Sequence, residues 1–158
     1  DVYNTVVGFN AGNSVSTGVN NTLIGGLAGD ALTTGTNNVA LGYQALTAQV
    51  EYGQNVAIGT QALRDQNVNS HGNNTAVGHQ AGLTMTTGVN NTLTGSLAGD
   101  ALTTGTNNVA LGYSALSTED TGSSNVAIGS HALEDLDFNG SGYNTAVGHA
   151  AGRNVKTR

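Results

Sequence analysis

The stretch NTAVGHQAG, Asn74 to Gly82, returns seventy residues later as NTAVGHAAG, Asn144 to Gly152. A catalytic residue serves once per site, so a phrase repeated this closely specifies shape rather than chemistry. Aligning the chain on the asparagine that opens the phrase gives Asn4, Asn21, Asn38, Asn55, Asn74, Asn91, Asn108, Asn125 and Asn144. The spacings run 17, 17, 17 and 19, then repeat in the same order. Nine asparagine-led units therefore fall into seventy-residue super-repeats over 4–73 and 74–143, with a partial ninth unit over 144–158. NTLIGGLAGDALTTGTN (Asn21–Asn37) and NTLTGSLAGDALTTGTN (Asn91–Asn107) differ at only two positions. Residues 1–158 read as one repeat domain.

Each unit follows N-[TV]-x-[VILT]-G-x-x-A-[GL] and then a variable arm. Counting from the asparagine, positions two and four alternate with position three, as in Val56-Ala57-Ile58, which is the period of a strand. Position five is always glycine: Gly8, Gly25, Gly42, Gly59, Gly78, Gly95, Gly112, Gly129 and Gly148. A glycine closing a strand marks a tight bend or a close approach of another backbone. Position eight is always alanine: Ala11, Ala28, Ala45, Ala62, Ala81, Ala98, Ala115, Ala132 and Ala151. A position restricted to one small apolar side chain is a packed position. A second glycine (Gly35, Gly88, Gly105, Gly122) sits in the turn before the next asparagine.

A helix is the poorer alternative, because each mid-phrase glycine would cost it about 1 kcal/mol. Alternate Val, Ile and Thr favour strands. The pattern predicts an all-β fold, a parallel β-solenoid or β-roll of nine coils, each 17–19 residues with two short strands. At a strand spacing of about 4.8 Å the rod would be about 40 Å long. The asparagine column is expected to form a ladder, its amides bonding to each other and to adjacent backbone. Loss of one buried rung would cost about 1–3 kcal/mol.

Such a coil encloses little space. Position three is itself apolar throughout (Val6, Leu23, Ala40, Ala57, Ala76, Leu93, Ala110, Ala127, Ala146), so both strand faces want cover. Self-association would supply it, and the expectation is an oligomeric rod.

Composition agrees with a thin rod. Among 158 residues there are 24 glycines, no proline, cysteine or tryptophan, 4 % aromatics and 9 % charged residues. The strict period decides against the disorder that so few bulky groups would otherwise suggest. The net charge of −6 is scattered, and the only basic residues are Arg64, Arg153, Lys156 and Arg158. No basic stripe exists to hold a phosphate backbone, so nucleic acid is not an expected partner. No apolar run approaches the roughly 20 residues of a membrane span, and no signal peptide is visible. Starting at Asp1, the chain reads as a piece of something longer.

SSNVAIGSHAL (Ser123–Leu133) and NNVALGYSAL (Asn107–Leu116) resemble the head repeats of YadA-like trimeric autotransporter adhesins. NNTAVGHQAG and TTGTNNVALGYQAL resemble repeat arrays of phage tail fibres, especially marine ones. The resemblance runs from Asn4 to Gly152 and implies a left-handed roll and a homotrimer. It further implies fibre or anchor segments at both ends, a host-surface glycan or protein as target, and a virion or cell-surface location. The adhesin heads mostly use shorter coils of about fourteen residues. No neck motif, coiled-coil stalk, membrane anchor or chaperone domain lies within the sequence, so the flanking sequence would distinguish fibre from adhesin. The long Asn/Thr/Gly arms favour the fibre.

Motifs for chemistry are sparse. GGLAGD (Gly25–Asp30) resembles a calcium-binding roll, but GSLAGD (Gly95–Asp100) breaks it, and a turn-capping aspartate is the better reading. His79 and His149 share position six with Phe9, Gly26, Tyr43, Thr60, Ser96, Tyr113 and Ser130, a tolerant column best read as solvated or interfacial. His71 and His131 have no histidine counterpart and read as surface variation. No nucleophile, base and orienting group come together, so no enzyme activity, metal or cofactor is expected. The two 19-residue units carry longer arms, and insertions on a solenoid often make its binding face. Arg64, Asp65, His71, Glu134, Asp135, Asp137 and Phe138 are therefore the candidate ligand contacts, against the plainer reading of a longer solvated turn. An ice-binding face is suggested by TTGT (Thr33–Thr36, Thr103–Thr106) and opposed by the equivalent arms AQVEYG, STEDTG and SVSTG.

Overall fold

A computed structural model describes residues 3–136 and 141–155. Positions two to four of each unit form one three-residue strand. These are β1 (Thr5–Val7), β2 (Thr22–Ile24), β3 (Val39–Leu41), β4 (Val56–Ile58), β5 (Thr75–Val77), β6 (Thr92–Thr94), β7 (Val109–Leu111), β8 (Val126–Ile128) and β9 (Thr145–Val147). They make a single parallel sheet in chain order, and the chain winds as a β-solenoid of about eight turns. Register is like on like: Ala40 faces Ala57. Ala57 faces Ala76 and Ala127 faces Ala146 across the two 19-residue units, so their extra residues are absorbed outside the sheet.

The second strand expected in each coil does not form among the described residues, apart from an isolated bridge between Ser123 and Ser141. Backbone torsion explains why. Positions five, seven and nine all carry positive φ, as in Gly25 (129°), Leu27 (60°) and Gly29 (55°). A residue at φ > 0 lies outside the extended region, so the chain corners repeatedly instead of running straight. In all nine coils the alanine N–H donates back to the position-five glycine carbonyl, for example Ala28 to Gly25 at 3.2 Å. With positive φ at the third residue, this is the geometry type II turns use. Backbone groups beyond the strand still bond along the axis: Gly29 N–H to Ala45 O, Leu46 N–H to Ala62 O and Thr33 N–H to Val50 O.

Position three points into the coil and is buried from Leu23 to Ala146. It meets the position-eight alanines, position nine and position twelve (Leu32, Met85, Leu102, with Gln49, Gln66 and Glu119 equally buried). Positions three and nine trade size. Leu23 and Leu93 stand opposite Gly29 and Gly99, whose absent Cβ atoms would lie 2.9 Å from those leucines. In four coils position three is alanine (Ala40, Ala57, Ala110, Ala127) and position nine a buried leucine (Leu46, Leu63, Leu116, Leu133). At Ala76 and Ala146 position nine is glycine, and leucines of adjoining coils reach in, Leu63 and Leu93 toward Gly82 and Leu133 toward Gly152. One interior volume is thus filled from either side, at the close packing protein interiors require.

Candidate functional site

The repeated asparagines hold the rod rather than a ligand. At each of the eight steps, Oδ1 of one asparagine accepts the backbone N–H of the next, from 2.8 Å at Asn4–Asn21 to 3.1 Å at Asn125–Asn144. Nδ2 donates to a carbonyl fourteen residues on, which closes the coil: Asn21 to Gly35, Asn74 to Gly88, Asn91 to Gly105 and Asn108 to Gly122, at 2.8–2.9 Å. Direct amide-to-amide bonds, expected along the whole column, occur at Asn38–Asn21 (3.2 Å) and Asn144–Asn125 (3.0 Å) among the described residues. Side chain to backbone is the dominant rung. Asn55 and Asn125 open the 19-residue coils, and their Nδ2 atoms are buried with no hydrogen-bond partner among the described residues. There the closing glycine stands at Gly72 and Gly142, three residues further on than Gly35, Gly88, Gly105 and Gly122 stand in their coils.

Both glycine columns are fixed by the coil above or below. A Cβ on Gly8 would stand 2.5 Å from the Gly25 carbonyl oxygen, and φ there is 134°. Gly88 has no positive φ, but a Cβ would stand 2.6 Å from the Gly105 carbonyl oxygen. Close stacking, not turn conformation, therefore demands the second glycine.

The long arms pair mainly with themselves. Arg64 makes a two-pronged contact with its neighbour Asp65, Nε to Oδ1 and Nη2 to Oδ2, both 2.6 Å. His71 sets its ring edge-on against Tyr52 at 6.1 Å. Glu134 lies 3.0 Å from His131 Nδ1 and 2.6 Å from Arg153 Nε, and Asp135 stands 3.8 Å from the same nitrogen. Asp137 and Phe138 lie outside the described residues. The charges of the candidate contacts are thus largely answered within the chain.

Asp30 and Asp100 each bury one Oδ1 without a partner among the described residues. Burial pushes the Asp100 carboxyl above its ordinary value, and the N–H groups of Asp100 and Ala101 offset only part of that rise. Among the described residues no three His, Cys, Asp or Glu side chains come together to hold a metal ion. Among the described residues no helix is long and apolar enough to cross a membrane. The TTGT arms use hydroxyls structurally: Thr33 and Thr103 donate Oγ1 to the carbonyls of Val50 and Asp120 in the following coil, as Thr86 of the related TTGV segment does to Thr103.

Two surface features were not legible coil by coil. Positions two and four point outward, and position four is apolar in every coil except at Thr94: Leu41 and Leu111 are 40 % and 45 % exposed, and Ile24, Ile58, Val77 and Ile128 are half-buried. Past the bend, positions six and seven of adjacent coils meet. Tyr113, His131 and His149 stack edge to face, with ring centroids 5.3 and 5.9 Å apart. His131 is half-buried in that row rather than free surface variation. In the first super-repeat Tyr43, Gln61 and His79 occupy the same places, and Gln44, Gln61 and Gln80 link their side-chain amides at 3.0 and 2.9 Å. No protein-family model, curated protein or solved structure matches this chain.

Proposed function

We propose that this chain is a non-catalytic structural segment of a homotrimeric fibre, a phage tail fibre or similar surface appendage. Its left-handed coils space and present the parts that attach to a host or surface. The observation that carries this reading is the outward face of the sheet. Parallel sheets are ordinarily covered on both faces, yet here one face packs inside the coil and the other leaves position four open to water. That column, interrupted only by Thr94, runs the length of the rod, about 38 Å at the strand spacing, and an apolar stripe of this kind marks an interaction surface. Identical chains laid side by side match it rung for rung. The resemblance of the repeats to trimeric fibre arrays sets the number at three.

Sedimentation equilibrium tests the assembly. The chain should run at about three times its 15.8 kDa mass. Replacing Leu41 and Leu111 by lysine should shift it toward the single-chain mass. A wild-type chain that sediments as a monomer at tens of micromolar would remove the basis of the proposal.

A further inference from the structure

Position six carries the same chemical series twice: Tyr43, Thr60 and His79 on three successive coils, then Tyr113, Ser130 and His149 seventy residues later. Gln61 and His131 stand beside them at position seven. Tyr43 and Tyr113 are 51 % and 50 % exposed, so the fold holds both rings out to the same degree. Gly26 lies next to Tyr43; a Cβ there would meet the ring at 3.4 Å, so the ring reclines along the preceding coil. His79 and His149 are exposed as well. Positions six and seven carry no Asp, Glu, Lys or Arg in either strip. Beyond them Arg64 pairs with Asp65 in the first strip and Glu134 with Arg153 in the second, both at 2.6 Å.

We infer that the two strips are equivalent subsites for one neutral polysaccharide chain lying along the rod. An exposed aromatic face suits the apolar C–H face of a pyranose ring. The flanking hydroxyl, amide and imidazole groups supply the few fixed polar partners that orient a ligand on a mostly apolar surface. The rings of Tyr43 and Tyr113 stand half exposed, an open surface that suits a sugar ring better than a peptide whose anchoring side chain needs a desolvated pocket. A polyanion is disfavoured by the net charge of −6. Four coils separate the strips, about 19 Å at the strand spacing. A polymer long enough to reach both would bind through two contacts at once, with a large gain over either alone. The inference rests on the attachment role proposed above for its setting, and on the solenoid alone for its geometry.

Affinity electrophoresis through gels containing neutral glucans, mannans and galactans, alongside acidic polymers, tests it. At least one neutral polymer should retard the wild-type chain. Tyr43→Ala or Tyr113→Ala alone should weaken that retardation by about 10²-fold, as loss of two-point binding requires, and the double variant should abolish it. Thr104→Ala, on an exposed arm, should change nothing. Circular dichroism melting should be the same for all four variants. The inference is overturned by no retardation in any neutral polymer, by retardation in acidic polymers only, or by retardation that survives the double variant. A single-variant loss of only about twofold would overturn two-point binding. A changed sedimenting mass in the double variant would assign the rings to contacts between copies and overturn it too. Sedimentation of the wild type reads the trimer separately, so neither proposal's failure is mistaken for the other's.

Discussion

At the residue scale the side chains that recur are those whose atoms are used in the next coil. Asn91 accepts from Asn108 through Oδ1 and donates to Gly105 through Nδ2, so both ends of its amide are engaged in a buried site. Asp100 is the opposite case: a carboxylate partly withdrawn from water with too little in return. Its folded-state pKa is raised above 3.8, so the folded chain holds a proton more readily than the unfolded chain. Stability from this group is therefore fully present below the unfolded value and lost as pH rises through the folded one. Asp100→Asn removes the desolvated charge. Its melting temperature should exceed that of the parent at pH 7, and the gain should vanish at about pH 3, where both side chains are neutral. A gain that persisted at the lower pH would point to packing instead.

At the scale of the single coil, the exchange of bulk between positions three and nine makes a quantitative expectation. Leu23→Ala empties the interior of its coil and should cost about 2–5 kcal/mol. Gly29→Leu overfills the same space and should cost about 1–3 kcal/mol. The backbone itself admits the change, since Leu46 holds φ of 53° at the equivalent place. Together the two substitutions rewrite the second coil in the style of the third, and urea melts should show a favourable coupling of about 0.5–3 kcal/mol. Additive losses would mean that the coils are not interchangeable inside.

The same coil shows what the sequence could and could not disclose. Spacing alone placed Asn21, Gly25 and Ala28, because Asn21 and Gly25 meet identical neighbours one turn away and Ala28 is fully buried, like its counterparts from Ala45 to Ala132. The missing second strand follows from left-handed backbone at Leu27, Leu46 and Leu63, and nothing in a leucine side chain announces that conformation. The Tyr113–His131–His149 row escaped for another reason. It joins position six of one coil to position seven of the next, and each column read by itself looks indifferent. The pairing of charges within the arms, as of Arg64 with Asp65, was not legible either, because it depends on how neighbouring side chains fold onto one another.

At the scale of the whole molecule, every strand contacts only the one before and the one after. Stability in such a rod is close to a sum over coils and their junctions. The junction between β8 and β9 repeats that between β4 and β5, with Ala–Ala opposite in both. Excising residues 74–143, so that Asn73 is followed by Asn144, therefore restores a native junction. The shortened chain should keep its circular dichroism per residue, and X-ray scattering should find a rod about 19 Å shorter. An unfolded or aggregated product would contradict the nearest-neighbour picture.

The hydrogen bonds between coils run along the rod, and they join only consecutive stretches of one thread. Pulled by its two ends, a single chain would bear the load at its terminal coil first, while the interior stayed shielded. Each coil that peeled away would release about 60 Å of contour from 17 residues, in exchange for about 4.8 Å of rod. A tether wound in this way yields length step by step under tension, and what remains wound keeps its shape.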